Sequence, residues 1–420
     1  MSQNVLDRYQ RTMTNMFGTP ARALVKGEGV YVWDADGKQY TDFLAGIAVN
    51  ALGHAHPALV QALTEQAQTL GHISNLFTSL PQVSLAERLI TLAGANDGAC
   101  FFANSGTEAN EAAFKLARRY GHSTGGKRTK IIALENAFHG RTMGALALTW
   151  KQQYREPFEP LPGGVTFVPA GDLTALQAEL DDTVAAVVIE PVQGEAGVQN
   201  FPAGYLAQVR QACNDHGALL IFDEIQSGIG RTGTWFGFQN TELTGTAEPV
   251  IPDAMTLAKG LGGGMPIGAM VTFGRAVSEL FTAGQHGTTF GGNPMATATA
   301  LAVLDTIEAE QILDNVRDVG SYLAQQLREL PGVKAVRAYG LWQGIELDTD
   351  ALLAQGQKLP EKGLAPKIVA KALEYGYIIN ATGELTLRLA PPLIITKDQV
   401  DPLLTDLPNI IAETVAEANS

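Results

Sequence analysis

Lys259 opens a glycine-rich run, Lys259-Gly260-Leu261-Gly262-Gly263-Gly264, and a carboxylate, Asp223, closes an apolar run upstream, Leu219-Leu220-Ile221-Phe222. A lysine amine condenses with an aldehyde as a Schiff base, and a buried aspartate keeps a pyridine nitrogen protonated so that the ring accepts carbanion electrons. The pairing points to pyridoxal phosphate, while a surface lysine before a flexible loop explains this segment equally well when taken alone. Phe101-Phe102-Ala103 followed by Asn104-Ser105-Gly106-Thr107-Glu108 reads as a strand, a tight turn and a helix that continues through Phe114, Leu116 and Ala117. Ser105 and Glu108 have capping-box spacing, and a helix opening on Ser105-Gly106-Thr107 offers unpaired N–H groups to a phosphate. An ordinary capped helix has the same pattern. The carboxyl end of a strand, where Asp223 falls, is where open α/β sheets bind ligands; a solvated strand end is the plainer alternative.

The elements that must position these groups are legible as changes of period. Residues 22–44 alternate short apolar groups with Gly27-Glu28-Gly29 and Asp34-Ala35-Asp36-Gly37, as hairpins do. From 55 to 310, apolar runs at 131–134, 184–189 and 218–222 alternate with amphipathic stretches at 57–70, 107–120 and 203–216. The alternation predicts an α/β fold with a mainly parallel sheet covered by helices. The remainder reads as a smaller α+β domain: helix 311–330, strands near 333–347, helix 365–375, strands near 377–389 and helix 397–416. The expected division is 1–54, an N-terminal segment packing with the small domain; 55–310, the large domain; and 311–420, the small one. Gly125-Gly126-Lys127-Arg128 and 241–252 read as exposed loops.

Composition narrows the classes. At 420 residues, with 45% hydrophobic and 17% charged residues, the chain is ordinary for a globular protein of more than one domain. A formal net charge of −14, with no long basic run, argues against nucleic acid. Two cysteines, Cys100 and Cys213, beside apolar or small neighbours suggest buried or incidental thiols in a reducing compartment, with a disulfide left open. The first residues lack an apolar signal core and no apolar run approaches ~18 residues, so no membrane span and a cytoplasmic location are expected.

In order along the chain these segments resemble the class III aminotransferases among the fold type I pyridoxal phosphate enzymes, and within them the acetylornithine aminotransferases. The resemblance runs from Phe17-Gly18-Thr19-Pro20 through the stretch from Asp42 to Pro57 to Leu387-Arg388-Leu389-Ala390-Pro391-Pro392-Leu393. It implies transfer of the ω-amino group of N2-acetylornithine to 2-oxoglutarate, giving N-acetylglutamate 5-semialdehyde and glutamate in arginine biosynthesis. Relatives with the same parts use succinylornithine, succinyl-diaminopimelate, ornithine or 4-aminobutyrate, and a methylene or small acyl difference shifts preference by only ~1–3 kcal/mol.

The resemblance also implies roles residue by residue. Lys259 would carry the cofactor and shuttle the proton, and Asp223 would pair with the pyridinium, with Gln226 in reach of the ring hydroxyl. Ile225 and Phe138 would cover the two ring faces, though a core aromatic is the simpler reading of Phe138 alone. Ser105, Gly106 and Thr107 would cradle the phosphate with Thr289 of the neighbouring subunit, making a homodimer with shared sites. Arg141 would hold the donor's α-carboxylate and Arg388 that of the keto acid, since a guanidinium fork grips a carboxylate bidentately. Glu195 would neutralise Arg388 until 2-oxoglutarate arrives. A structural salt bridge is the alternative for either arginine.

Glu190 would shape the same pocket or simply end a strand, and Asn75 is a weaker pocket candidate. His139 reads as positional rather than catalytic. His54 and His56 with Asp42 read as a loop leading into a helix rather than as a metal site. Ala338-Tyr339-Gly340-Leu341-Trp342 departs from the family pattern, where a basic residue and a methionine are more usual, and leaves the local packing there open. A cofactor-binding transcription regulator would need an added basic domain. A nucleotide-binding oxidoreductase would need G-x-G-x-x-G spacing after a first strand, which 260–264 lacks.

Overall fold

The computed structural model describes residues 1–352 and 360–418. Its centre is a seven-stranded sheet of β1 (Cys100–Ala103), β2 (Lys130–Leu134), β3 (Val165–Val168), β4 (Val184–Ile189), β5 (Leu219–Asp223), β6 (Ala254–Leu257) and β7 (Gly268–Thr272). The spatial order is β1-β7-β6-β5-β4-β2-β3. The strands from β6 to β3 pair in parallel, and β7 runs antiparallel to both β1 and β6. Every residue of β4, β5, β6 and β7 is buried. Helices cover both faces, so these strands read as unbroken apolar runs instead of alternating ones. The helix Gly106–Ser123 packs across β4 to β7, presenting Ala109, Asn110, Ala112, Ala113, Leu116 and Ala117 to the sheet.

Two smaller sheets flank this core. Leu24–Glu28, Tyr31–Asp34 and Gln39–Asp42 form an antiparallel meander, and Gln39–Asp42 pairs in parallel with Tyr377–Ile378 from the far end of the sequence. A second sheet pairs Val333–Ala338, Gln343–Leu347, Thr386–Leu389 and Asn380–Ala381, all antiparallel. It is covered by Ile312–Arg328 and Leu364–Tyr375, and Lys397–Ala418 packs on both of these helices. Gly344 faces Arg388 in this sheet, which places Arg388 on an interior strand.

The periodicity missed several elements. Leu80–Ala93 is a helix capped by Ser79, whose Oγ accepts from the Gln82 N–H, and Pro294–Ala309 is a helix capped by Asn293. Pro294–Ala309 is apolar nearly all round and packs on Pro57–Thr69 and Leu80–Ala93, so it lacks the amphipathic stripe that marks a surface helix. The strands β3, β6 and β7 are four or five residues long, too short for a period to show. Ser2–Thr12 is also helical, and Thr241–Thr244, inside a stretch expected as loop, makes one turn that buries Leu243. The unusual Trp342 is fully buried in the core. No helix among the described residues is long and apolar enough to cross a membrane. Cys100 and Cys213 are free thiols, the first half-buried and the second buried.

Candidate active site

A cavity of about 380 Å³ opens at the carboxyl ends of the central strands. Ser105, Gly106 and Thr107 form one wall. Ser105 Oγ accepts from the Glu108 N–H at 3.3 Å, but the Glu108 carboxylate turns to the Asn104 N–H (2.6 Å) and Nδ2 (2.9 Å). The capping box is therefore half formed, and the Gly106 and Thr107 N–H groups, unlike that of Glu108, stay available to an anion. The wall tolerates no bulk: a Cβ at Gly106 would stand 2.8 Å from Ile225 Cδ1, and one at Gly268 would stand 2.2 Å from the Ser105 carbonyl oxygen. Thr107 Oγ1 accepts from the Arg141 and Thr142 N–H groups at 3.0 Å each, locking the helix start to the turn that carries Arg141.

Asp223 ends β5 inside the cavity and is buried. Its Oδ2 accepts from Asn110 Nδ2 at 2.7 Å and lies 2.8 Å from His139 Nδ1, and its Oδ1 accepts from the Ile225 N–H at 3.0 Å. Asn110 is itself fixed, donating to the His139 carbonyl (2.7 Å) and accepting from Thr256 Oγ1 on β6 (2.7 Å). Burial alone would depress the His139 pKa. The hydrogen bond and charge of Asp223, with the charge of Glu190, raise it above the ordinary histidine value instead. Asn110 was not anticipated from the sequence; the signal was a polar residue inside the alanine stripe of a helix.

Lys259 sits just after β6, at a positive φ of 41°, and lines the cavity with Asp223. Burial pushes its amine down to about 8, aided by Arg388 and opposed by Glu195, Asp223 and Glu190. Phe138 and Ile225 line the cavity as well. The Phe138 N–H donates to Glu190 Oε1 at 2.9 Å, and Glu190 Oε2 accepts from the Gly194 N–H at 3.3 Å. Burial raises Glu190 to about 7, with Asp223 adding to the rise against the pull of His139.

Two arginines are placed differently, Arg141 lining this space and Arg388 behind it. Arg141 is exposed, with its guanidinium 3.6 Å from the centre of the Tyr154 ring. Arg388 is buried, and its Nη1 donates to Glu195 Oε1 (2.6 Å), the Gly194 carbonyl (3.2 Å) and Gln226 Oε1 (3.3 Å). Burial would raise the Glu195 carboxyl, but the charge and hydrogen bond of Arg388 hold it below the ordinary value. Glu195 and Arg388 stand behind Gln226, which lines the cavity.

Not every expected residue converges. Asn75 is exposed, its Nδ2 donating to the Thr288 and Gly291 carbonyls at 3.2 and 3.1 Å, and it lies outside the cavity of its own chain. Thr289 is exposed in the same 286–293 loop and is likewise outside. His54 pairs with Asp42 at 2.9 Å. Among the described residues no cluster of His, Cys, Asp and Glu has metal-ligating geometry.

Residues 12–411 match the family model for aminotransferase class III. The chain is a class III aminotransferase. An acetylornithine aminotransferase of Mycolicibacterium smegmatis is 48% identical over 98% of each chain. One of Streptomyces coelicolor is 49% identical over 100% of this chain and 98% of its own. In structure the chain resembles an ornithine aminotransferase from Toxoplasma gondii with partial PLP occupancy at its active site. That match has a TM-score of 0.89 and 29% identity, covering 100% of this chain and 96% of the other. Pyridoxal phosphate is the cofactor of this aminotransferase, and the cavity suits it: a helix N-terminus for the phosphate, a buried carboxylate, an amine of lowered pKa and a glycine-lined wall.

Proposed function

We propose that this aminotransferase moves the ω-amino group of N2-acetylornithine to 2-oxoglutarate, a step of arginine biosynthesis in the cytoplasm. The observation that carries the reading is the buried Arg388–Glu195 pair at 2.6 Å beside the cavity of Lys259 and Asp223. A buried guanidinium with a displaceable partner suits an enzyme whose site admits a donor and a dicarboxylic acceptor in turn. The acetylornithine aminotransferases, 48% and 49% identical over nearly the whole chain, support the donor.

Pyridoxal phosphate, when bound, supplies the electron sink that makes the proton next to the amine labile. In this reading Lys259 holds the cofactor and then moves that proton, and its lowered pKa leaves much of the amine neutral near pH 8. Asp223, held by Asn110 and His139, would keep the ring nitrogen protonated. Gln226 would meet the ring hydroxyl, Phe138 and Ile225 would cover the ring faces, and Glu190 ties the Phe138 backbone to Gly194. Ser105, Gly106 and Thr107 bind the phosphate with Thr289 of a second copy of the chain, which makes the working enzyme a homodimer. Asn75 supports this reading of Thr289, since it anchors the loop that carries it. Arg141 takes the donor's α-carboxylate and Arg388 that of 2-oxoglutarate.

A panel of donors against 2-oxoglutarate tests the assignment. N2-acetylornithine should give the highest kcat/KM; a higher value for ornithine, succinylornithine, succinyl-diaminopimelate or 4-aminobutyrate overturns it.

A further inference from the structure

The loop after Glu190 is held on every side except at one side chain. Gln193 and Gln199 exchange backbone hydrogen bonds at 2.9 and 3.0 Å, and Arg337 Nε donates to the Gly197 carbonyl at 2.9 Å. Gly194 is fixed through its N–H by Glu190 and through its carbonyl by Arg388. The Glu195 side chain, 38% exposed, is what can leave when another carboxylate comes to Arg388.

Against the neighbouring Gly194 stands Trp342. A Cβ on Gly194 would lie 2.6 Å from Trp342 Cζ2 and 2.6 Å from Gln226 Oε1, so the indole edge and the Gln226 amide meet at one point beside Arg388. Cζ2 belongs to the same edge of the indole as Nε1. Trp342 is fully buried, and both its Nε1 and the Nε of Arg388 have no hydrogen-bond partner in the structure. A buried donor without an acceptor is a standing penalty unless a ligand relieves it. Both donors belong to side chains that adjoin Gly194, the residue before Glu195.

We propose that Trp342 is a specificity residue for the keto acid: once Glu195 turns away, its indole N–H and the Arg388 guanidinium together hold one carboxylate of the acid. The inference rests on the assignment of Arg388 to 2-oxoglutarate. It differs from that assignment in giving the carboxylate a second, uncharged donor, contributed by the small-domain segment that precedes Gln343–Leu347. An N–H fixed in a packed core adds direction to a charge that otherwise attracts any anion.

The test uses the holoenzyme with Trp342→Phe and, separately, with benzothienylalanine at position 342, which keeps the ring shape and lacks the N–H. Stopped-flow saturation of each half-reaction gives apparent constants for 2-oxoglutarate and for the amino donor, and calorimetry gives Kd for glutarate, an unreactive dicarboxylate. Losing one charge-assisted hydrogen bond should weaken 2-oxoglutarate and glutarate about tenfold, with a much smaller change for the donor. Constants for the benzothienylalanine enzyme within twofold of the unmodified ones, or a donor weakened as much as the acid, overturn the proposal. Arg388→Ala separates the two layers: if it weakens 2-oxoglutarate and the indole replacement does not, only the Trp342 role fails. If it leaves 2-oxoglutarate unaffected, both fail.

Discussion

Two buried charges, Asp223 lining the cavity and Arg388 behind Gln226, are held in opposite ways. Asp223 is surrounded by donors from separate parts of the fold: Asn110 on a helix, His139 on a turn and the Ile225 N–H just after its own strand. Asn110 is in turn pinned by Thr256 on the neighbouring strand. Arg388 is buried as deeply, but its charge partner Glu195 is 38% exposed and its Nε has no acceptor. The difference fits the work proposed for each charge. A group that must keep one protonation state through both half-reactions is best fixed in advance, because dipoles already in place need no reorganisation. A group that serves two ligands in alternation needs a partner it can lose.

The contrast can be attacked first at the residue both ends share. Lys259→Ala should lower multiple turnover by at least ~10²–10⁴-fold, the usual worth of a positioned acid–base, and borohydride should no longer fix cofactor to the chain. Substantial multiple turnover by this variant rejects the assignment of Lys259. Next, Asp223→Ala strands His139 and Asn110 around a missing charge and should destabilise the fold by about 3–5 kcal/mol. Gln226→Ala, which removes long hydrogen bonds to Arg388 (3.3 Å) and Glu195 (3.4 Å) but no charge, should cost about 1.5 kcal/mol and less activity. Equal, mild losses in thermal melts and rates would make Asp223 a mere strand end.

Smaller effects sharpen the same point. Asn110→Ala leaves Asp223 and Thr256 each short of a partner, so a loss of about 1–3 kcal/mol is expected in denaturant titration, where a free surface residue would give almost none. The weakest expected effect concerns pH. Burial holds Lys259 down at about 8 against an ordinary 10.5, so between these values the folded cofactor-free chain binds fewer protons than the unfolded one. The resulting destabilisation is complete below pH 8 and fades as pH rises toward 10.5. Lys259→Met should accordingly raise Tm by on the order of a few degrees at pH 7, with the gain shrinking toward pH 10. A gain independent of pH would show that packing, not charge, is responsible.

Much of the fixed end was legible in the sequence and less of the exchangeable end. Strand-turn-helix at 101–117 and the apolar run ending in Asp223 are local patterns, and the fold joins them with little alteration. Asn110 escaped notice because its partners, Asp223 and Thr256, are 113 and 146 residues away in sequence. Arg388 and Glu195 were named through the resemblance alone. Nothing near Leu387-Arg388-Leu389 announces that an interior strand buries its arginine against the loop that follows Val184–Ile189. Trp342 was legible only as a departure from a pattern, since its contact with Gly194 depends on how that loop meets the segment before Gln343–Leu347. The helix Pro294–Ala309 was missed for the opposite reason, being too uniformly apolar to carry a period.

The claim that Arg388 is an exchangeable charge is tested most directly by stopped-flow rates of the two half-reactions in Glu195→Ala. With its partner gone, Arg388 should accept dicarboxylates at all times. Glutamate should then react faster as a donor than in the unaltered enzyme, while turnover of N2-acetylornithine falls through competition by 2-oxoglutarate. Unchanged glutamate reactivity in Glu195→Ala would contradict the account and leave the Arg388–Glu195 pair as a structural salt bridge.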